Sequence, residues 1–313
     1  MGLALDRANP FFTAMSLEIS KMLTTPGAVG FVSYGKKEVF LFQSDTYFEI
    51  GSLTKLLTAD LISNELNNKT MSLTNTLGDF FPLPSGNKYP TIVELLTHSA
   101  GYQKDYFEWK SILRCWLKID KSISYPYRIM LSRLKKTIPK DSEKKYIYSN
   151  FGYAVLGLIL EKIYNKPYYK ILDEYLSSLQ LYNTGVNICK SANYWVWKTN
   201  NSFIASGGVT STINDMLSFT KYMLDKTSEY SSINLLRYFS LEDEVQPDDV
   251  GTGMSWKMRK DRTLYHTGCT ENFKSYISLQ KEKRKGVVVL LKDSSDDWNK
   301  AIKIARNIEK ILY

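Results

Sequence analysis

The chain has 313 residues, 43% of them hydrophobic, which predicts a folded protein with a large core, and its apolar runs are too short to span a bilayer. The net charge of +9 is scattered and accompanies no nucleic-acid motif, so we expect a solvated lysine-rich surface and no nucleic-acid partner, with an anionic cell-wall polymer as the alternative partner. Three widely spaced cysteines indicate no disulfide framework, and two histidines are too few for a histidine-rich metal site. We expect no metal and no cofactor; the alternative is a metal held mainly by carboxylates, for which there is no motif.

The chain starts without a basic flank and a long apolar stretch, so no signal peptide is evident. Two alternatives follow: an intracellular protein, or one from which a leader has been removed. Residues 10–23 predict an amphipathic helix, and residues 27–34 and 38–42 predict a hairpin around Gly35-Lys36-Lys37. After Gly51 the apolar residues recur at helical spacing, which places Ser52 at the start of a helix.

Residues from about 65 to 200 are predicted to be mostly helical, with candidate helices at 91–97, 106–117, 127–134, 151–164 and 168–179. A capping-box pattern at 212–215 precedes a further helix over 216–223. The end of the chain returns to strands at 274–279 and 286–291, around a turn at 280–285. Residues 296–312 then predict a closing helix, whose first turn Asp296 and Asp297 suit.

Strands at both ends around a helical middle predict an α+β protein with two lobes. One discontinuous lobe, residues 1–64 and 200–313, is expected to hold an antiparallel sheet flanked by terminal helices. Residues 65–199 are expected to form an inserted all-helical lobe. We expect the active site between the two lobes.

Ser-x-x-Lys occurs seven times in this lysine-rich chain, so only context can select a catalytic pair. Only Ser52 follows an apolar approach ending in Gly51 and opens an apolar helix. Residues i and i+3 share a helix face, so the Lys55 amine can reach the Ser52 hydroxyl, and burial would lower the lysine pKa and make it a base. The alternative is a capping serine beside a solvated lysine.

Two further fragments carry chemistry. Tyr148-Ser149-Asn150 is the only Tyr-x-Asn in the chain, and a phenol flanked by cations can move protons. The alternative is an asparagine that caps the helix starting near residue 151. His266-Thr267-Gly268 precedes the predicted hairpin, where a hydroxyl can bind a carboxylate and a glycine lets a substrate backbone approach; the alternative is a partly exposed strand histidine.

In this order the three fragments resemble the penicillin-recognising serine hydrolases, which include class C β-lactamases, DD-peptidases and related esterases. Tyr-Ser-Asn with His-Thr-Gly is more similar to the low-molecular-weight DD-carboxypeptidase and D-peptidase branch. Further matches lie at 48–55, 95–101, 205–215 and 266–273, so the resemblance covers about residues 27 to 291. It implies the β-lactamase/DD-peptidase-like fold.

The resemblance also implies roles for individual residues. Ser52 is acylated, and Lys55 and Tyr148 share the proton transfers. The implied substrate-binding residues are Asn150, His266, Thr267 and Gly268, and the implied oxyanion hole consists of the backbone N–H groups of Ser52 and Cys269. His98 is expected to be structural.

Two departures bear on the substrate. His266 replaces the lysine usual in β-lactamases, so a fixed charge becomes one with an unperturbed pKa of about 6.5, and activity is expected to depend on it across about pH 5 to 8. No Glu-x-x-Leu-Asn deacylation motif appears. The resemblance therefore implies a D-alanyl-D-alanine carboxypeptidase-like or D-stereospecific peptidase that binds penicillin. It also implies a location outside the cytoplasm or in the cell envelope. The alternatives are a β-lactamase or esterase acting on a β-lactam or ester, and a catalytically silent cell-wall-binding relative.

Overall fold

The structure is a computed structural model, which describes residues 17–42, 47–102, 125–137, 145–189, 191, 193–227, 236–237 and 246–312. The predicted helix at 106–117 lies outside the described residues, as do Cys115 and the first part of the predicted helix at 10–23. Residues 17–22 of that helix are helical and are called α1.

The strands of the described part of the chain are β1 (Gly27–Ser33), β2 (Lys36–Phe42), β3 (Phe48–Glu49), β4 (Thr210–Ser211), β5 (Leu236–Arg237), β6 (Asp249–Gly253), β7 (Lys257–Arg259), β8 (Leu264–Cys269), β9 (Phe273–Gln280) and β10 (Lys285–Lys292). Eight of them form one antiparallel sheet in the order β2-β1-β10-β9-β8-β7-β6-β5. Strands β3 and β4 pair separately. The sheet therefore joins strands from both ends of the chain.

The two faces of the sheet enter two different cores, because successive side chains of a strand alternate. In β1, Val29 and Phe31 pack into a core with the terminal helices, whereas Ala28 and Val32 pack into a larger core with the central helices. The β1–β2 turn is Tyr34-Gly35, with φ angles of 49° and 79°, typical of a two-residue hairpin turn. The turn predicted at Gly35-Lys36-Lys37 therefore lies one residue too late, since Lys36 already pairs in β2.

Most of the helices lie between β3 and β4 in the sequence, and the last one ends the described part of the chain. The described helices that follow α1 are α2 (Thr54–Asn67), α3 (Leu77–Phe80), α4 (Ile92–Leu96), α5 (Tyr127–Lys136), α6 (Asn150–Tyr164), α7 (Tyr168–Ser178), α8 (Ile204–Gly207), α9 (Ile213–Asp225) and α10 (Lys300–Leu312). The prediction for α10 is wrong at its start by four residues. Asp297 instead makes a local turn, accepting hydrogen bonds from the Asn299 N–H and Lys303 Nζ, which competes with helix formation.

Helix α2 is fixed against the segment before β4 by three polar contacts. Thr58 donates to the Ala205 carbonyl (2.7 Å), and Thr54 accepts from the Val209 N–H (3.3 Å). Lys55 lies on the same side of α2 and adds the third contact, described below. These bonds fix the start of α2, which directly follows Ser52, against residues 205–209.

The predicted α+β architecture, an antiparallel sheet flanked by terminal helices with helices inserted between its strands, is confirmed. The division at 64/65 and 199/200 stays a prediction, and α2 crosses the first boundary. Within the described residues, no helix has both the length and the apolar character needed to cross a membrane. Over those same residues there is also no group of three or more side chains suited to hold a metal ion.

Candidate active site

Ser52 lies in a short 3-10 turn, Gly51–Leu53, that leads directly into α2. Gly51 has a φ of +50°, and a Cβ atom added to it would stand 2.9 Å from the backbone nitrogen of Cys269. Glycine therefore meets two requirements here, a left-handed backbone and close approach to β8. The close approach places the Cys269 backbone beside the Ser52 turn, and the oxyanion hole formed by the N–H groups of Ser52 and Cys269 stays a prediction.

Lys55 is completely buried, and its Nζ atom lies among three oxygen atoms. The distances are 3.1 Å to Ser52 Oγ, 2.8 Å to Asn150 Oδ1 and 2.6 Å to the Ser206 carbonyl oxygen. Burial lowers the pKa of Lys55 well below its usual range, because the ammonium loses its hydration. A neutral amine can donate to Asn150 and Ser206 and direct its lone pair at the Ser52 hydroxyl, as a base requires.

Tyr148 is the second side chain in contact with the nucleophile. Its hydroxyl donates a hydrogen bond of 2.7 Å to Ser52 Oγ, and Lys55 Nζ lies 4.9 Å from the centre of its ring. The Ser52 oxygen is thus in contact with both groups that are predicted to move protons. Lys55 becomes the cation expected beside the phenol once it has taken up the Ser52 proton.

In the Tyr148-Ser149-Asn150 fragment, Ser149 and Asn150 make different contacts. Ser149 caps α6, because its hydroxyl accepts a hydrogen bond from the Gly152 N–H at 3.1 Å. Asn150 is the first residue of α6 and directs its side-chain oxygen at Lys55. The capping function considered for Asn150 therefore belongs to Ser149, which leaves the asparagine side chain for the site.

His266, Thr267 and Gly268 lie within β8, which precedes the β9–β10 hairpin as predicted. A Cβ atom at Gly268 would stand 2.1 Å from the Ile50 carbonyl oxygen and 2.3 Å from Ser275 Oγ. Ser275 donates to that same carbonyl at 2.8 Å. The close approach that requires Gly268 is thus made by the chain itself, where the Ser52 turn packs on β8.

The charge expected on His266 is absent, because the side chain is only 2% exposed. Burial, with the nearby Lys55 and Lys257 cations, lowers the pKa of His266 to about 3. One ring nitrogen, Nδ1, lies 2.7 Å from the Thr267 carbonyl oxygen, so the proton of the neutral ring belongs there. The expectation that His266 titrates between pH 5 and 8 is therefore wrong, since sequence alone does not reveal its burial.

The outer edge of β8 is open beside the nucleophile. Strand β7 pairs with β8 at Leu264 and Tyr265, and within the described ranges residues 266–269 have no ladder partner on that side. Thr267 is partly exposed and Cys269 is exposed at this edge. An extended chain can therefore pair with this edge and bring a carbonyl to Ser52.

The structure brings together the side chains predicted from all three fragments and adds two groups that sequence reasoning missed. One is the Ser206 carbonyl, signalled only by the Gly207-Gly208 pair in the 205–215 match. The other is His98, whose ring centre lies 4.6 Å from that of Tyr148. Of the other Ser-x-x-Lys serines, Ser132 is exposed on α5, and Ser278 is buried against Glu309.

Comparisons with known proteins show the family and the fold. The Beta-lactamase family model matches residues 18–309. Protein flp of Staphylococcus aureus (strain NCTC 8325 / PS 47) is 23% identical over 279 residues, which are 80% of this chain and 54% of that protein. A putative fimbrial assembly protein FimD, serogroup D, of Dichelobacter nodosus is 31% identical over 137 residues, 41% of this chain and 32% of that protein. The chain thus spans at most about half the length of these curated relatives.

Among solved structures, a beta-lactamase/D-alanine carboxypeptidase from Yersinia pestis, complexed with citrate, superposes with a TM-score of 0.77. The match covers 97% of this chain and 100% of that chain at 18% identity. The superposition establishes a shared fold, and at this identity it establishes no more than the fold. The assignment of the individual site residues therefore depends on the contacts described above.

Proposed function

The chain belongs to the beta-lactamase family of serine hydrolases, and we propose that it hydrolyses an amide or ester through an acyl-enzyme formed at Ser52. One observation carries the proposal. The Ser52 Oγ atom lies within hydrogen-bond distance of both a buried lysine amine and a tyrosine hydroxyl, Lys55 at 3.1 Å and Tyr148 at 2.7 Å. A nucleophile in contact with a base of lowered pKa is the arrangement that activates a hydroxyl at neutral pH.

In the proposed acylation, the neutral Lys55 amine takes the Ser52 proton while Oγ attacks the substrate carbonyl carbon. The ammonium that forms keeps two oxygen acceptors outside the nucleophile, on Asn150 and Ser206. The backbone N–H groups of Ser52 and Cys269 hold the developing oxyanion.

Collapse of the tetrahedral intermediate breaks the bond to the leaving amine or alcohol. The Tyr148 hydroxyl, which contacts Ser52 Oγ, gives its proton to that leaving group and takes up the proton held on Lys55. A water molecule then attacks the acyl carbon and gives a proton to the same pair of side chains. The ester bond to Oγ breaks, the carboxylic acid leaves, and the pair returns the proton to Ser52 Oγ.

We propose a peptide ending in D-amino acids as the substrate, of the D-alanyl-D-alanine carboxypeptidase or D-stereospecific peptidase type. The open edge of β8 supports an extended peptide, because backbone groups there can pair with it. Thr267 stands at that edge to hydrogen-bond the substrate. The histidine at position 266, in place of the lysine usual in β-lactamases, supports the peptidase over that alternative.

A β-lactamase or esterase of the same fold is the second candidate within the enzyme class, and a silent wall-binding relative is the candidate outside it. The intact contacts of Ser52 favour an enzyme. A panel of D-Ala-D-Ala peptides, nitrocefin and short p-nitrophenyl esters discriminates between them. We expect the highest kcat/KM for the peptides. Preferential turnover of nitrocefin or of the esters would overturn the substrate assignment. Binding of anionic polymer without turnover of any of these substrates would overturn the proposal that the protein is an enzyme.

A further inference from the structure

The ring of His98 packs on the ring of Tyr148. His98 follows α4 in the left-handed conformation, with a φ of 56°, and it is 2% exposed. Among residues other than glycine, histidine is one of the few that adopt this conformation readily. The backbone conformation of His98 is therefore compatible with its side chain.

His98 contacts three successive residues, 147 to 149, two of which belong to the Tyr148-Ser149-Asn150 fragment. Its carbonyl oxygen accepts a hydrogen bond of 2.8 Å from the Ile147 N–H, and its Nδ1 atom accepts one of 3.1 Å from the Ser149 N–H. Between these two bonds, its ring packs on the ring of Tyr148, with centres 4.6 Å apart and planes 32° apart. The residues on both sides of Tyr148 are therefore fixed by one residue.

The hydrogen bond from Ser149 also fixes the protonation of the imidazole. An atom that accepts from an N–H carries no proton, so His98 is the neutral tautomer with its proton on Nε2. Burial and the positive charge of Lys55 lower the pKa of His98 well below its usual range, in the same direction. Within the described residues Nε2 has no hydrogen-bond partner. The hydrogen bond that the ring makes there is the one that Nδ1 accepts from the Ser149 N–H.

We propose that His98 is a positioning residue for Tyr148, which acts through the acceptor nitrogen Nδ1 and holds the tyrosine hydroxyl on Ser52. The proposal rests on the hydrolase function proposed above. It assigns to His98 a part in the reaction, although the residue touches neither the substrate nor the nucleophile. Loss of the acceptor frees the Ser149 N–H and lets the Tyr148 hydroxyl move away from Oγ.

Two substitutions separate the acceptor from the ring. His98→Asn keeps an acceptor oxygen near the place of Nδ1 and tolerates the left-handed backbone, whereas His98→Phe keeps an aromatic ring without an acceptor. We expect His98→Asn to keep most of the rate of Ser52 acylation. We expect His98→Phe to lower that rate by about 10- to 100-fold with little change in KM, because a small displacement of a catalytic group costs about that much.

The coupling to Tyr148 is measured with a double-mutant cycle. In a Tyr148→Phe background the hydroxyl is absent, so His98→Phe should lower the rate no further. Equal losses in both backgrounds would overturn the proposal, as would equal rates of His98→Asn and His98→Phe. If neither single variant yields folded protein, His98 is a structural residue and the proposal is also overturned.

A readout without turnover separates this proposal from the hydrolase function. In protein labelled with ¹³C at the tyrosine ring, the Tyr148 signal is identified by its loss in Tyr148→Phe. We expect this signal to keep its position in His98→Asn and to shift or broaden in His98→Phe. An unchanged signal in both variants would overturn the positioning function even in an active enzyme, whereas the expected shift in a protein without activity would overturn only the hydrolase function.

Discussion

The Tyr148 hydroxyl donates a hydrogen bond of 2.7 Å to the Oγ atom of Ser52, although the two residues are 96 positions apart in the chain. The contact joins the start of α2 to the residues before α6, and Lys55 reinforces it through Asn150. The site is therefore formed by the way two helix starts meet, with β8 as the third side.

The pH dependence of the reaction should follow Lys55 and not His266. The active form of Lys55 is the neutral amine, and burial lowers its pKa, so kcat/KM should rise with pH as Lys55 loses its proton. His266, with a pKa of about 3, is neutral throughout pH 5 to 8. A His266→Gln variant should therefore keep the rising profile even if KM increases, and a flat profile in that variant would assign the titration to His266.

The two glycines that join the Ser52 turn to β8 should not tolerate alanine. Gly268→Ala would place a methyl group 2.1 Å from the Ile50 carbonyl oxygen, so we expect a loss of about 3 kcal/mol in the free energy of unfolding together with loss of activity. Gly51→Ala should act in the same direction through Cys269. Both effects are measured by chemical denaturation and by the rate of acylation.

Gly35→Ala is the matched control for these glycines. Gly35 also has a positive φ, of 79°, but an added methyl group would meet no atom within 4 Å. We expect only the cost of the backbone conformation, about 1 kcal/mol, with full activity. If Gly35→Ala and Gly268→Ala behaved alike, the packing of β8 on the Ser52 turn would not be the reason for the glycine.

The free energy of unfolding should decrease as the pH falls from 7 to 5. Burial lowers the pKa of both His98 and His266 in the folded protein. In the unfolded chain both histidines become protonated near pH 6.5, whereas in the folded protein they stay neutral at that pH. The free energy of unfolding is thus at its full value above the pKa that the histidines have in the unfolded chain. Below that pKa it decreases, by up to about 2 kcal/mol per histidine at pH 5. Urea titrations of His98→Asn and His266→Gln should each show a smaller decrease; a decrease equal to that of the unchanged protein would contradict this account.

Sequence patterns sufficed for the parts of the site that depend on local structure. The spacing of Ser52 and Lys55 on one helix, and the place of Asn150 at the start of another, follow from hydrophobic periodicity and capping. The charge state of His266 could not be predicted, because its burial depends on strands that are distant in sequence. The same is true of the reason for Gly268, which lies in a contact with Ile50.

Carbonyl groups and packing contacts are the other features that sequence does not reveal. The Ser206 oxygen contacts Lys55 through its backbone, so the identity of the side chain carries no signal for it. His98 occurs in a matched segment, but its contact with Tyr148 depends on how α4 and the start of α6 meet. The start of α10 was misplaced because Asp297 makes a local turn in competition with the helix.

The central claim, acylation at Ser52, is tested most directly by the mass of the intact protein after incubation with a penicillin. We predict an increase by the mass of one penicillin, absent in Ser52→Ala and retained in Ser132→Ala, a control with the same Ser-x-x-Lys spacing on the exposed face of α5. An adduct that persists in Ser52→Ala, or the absence of any adduct or turnover in the unchanged protein, would contradict the account.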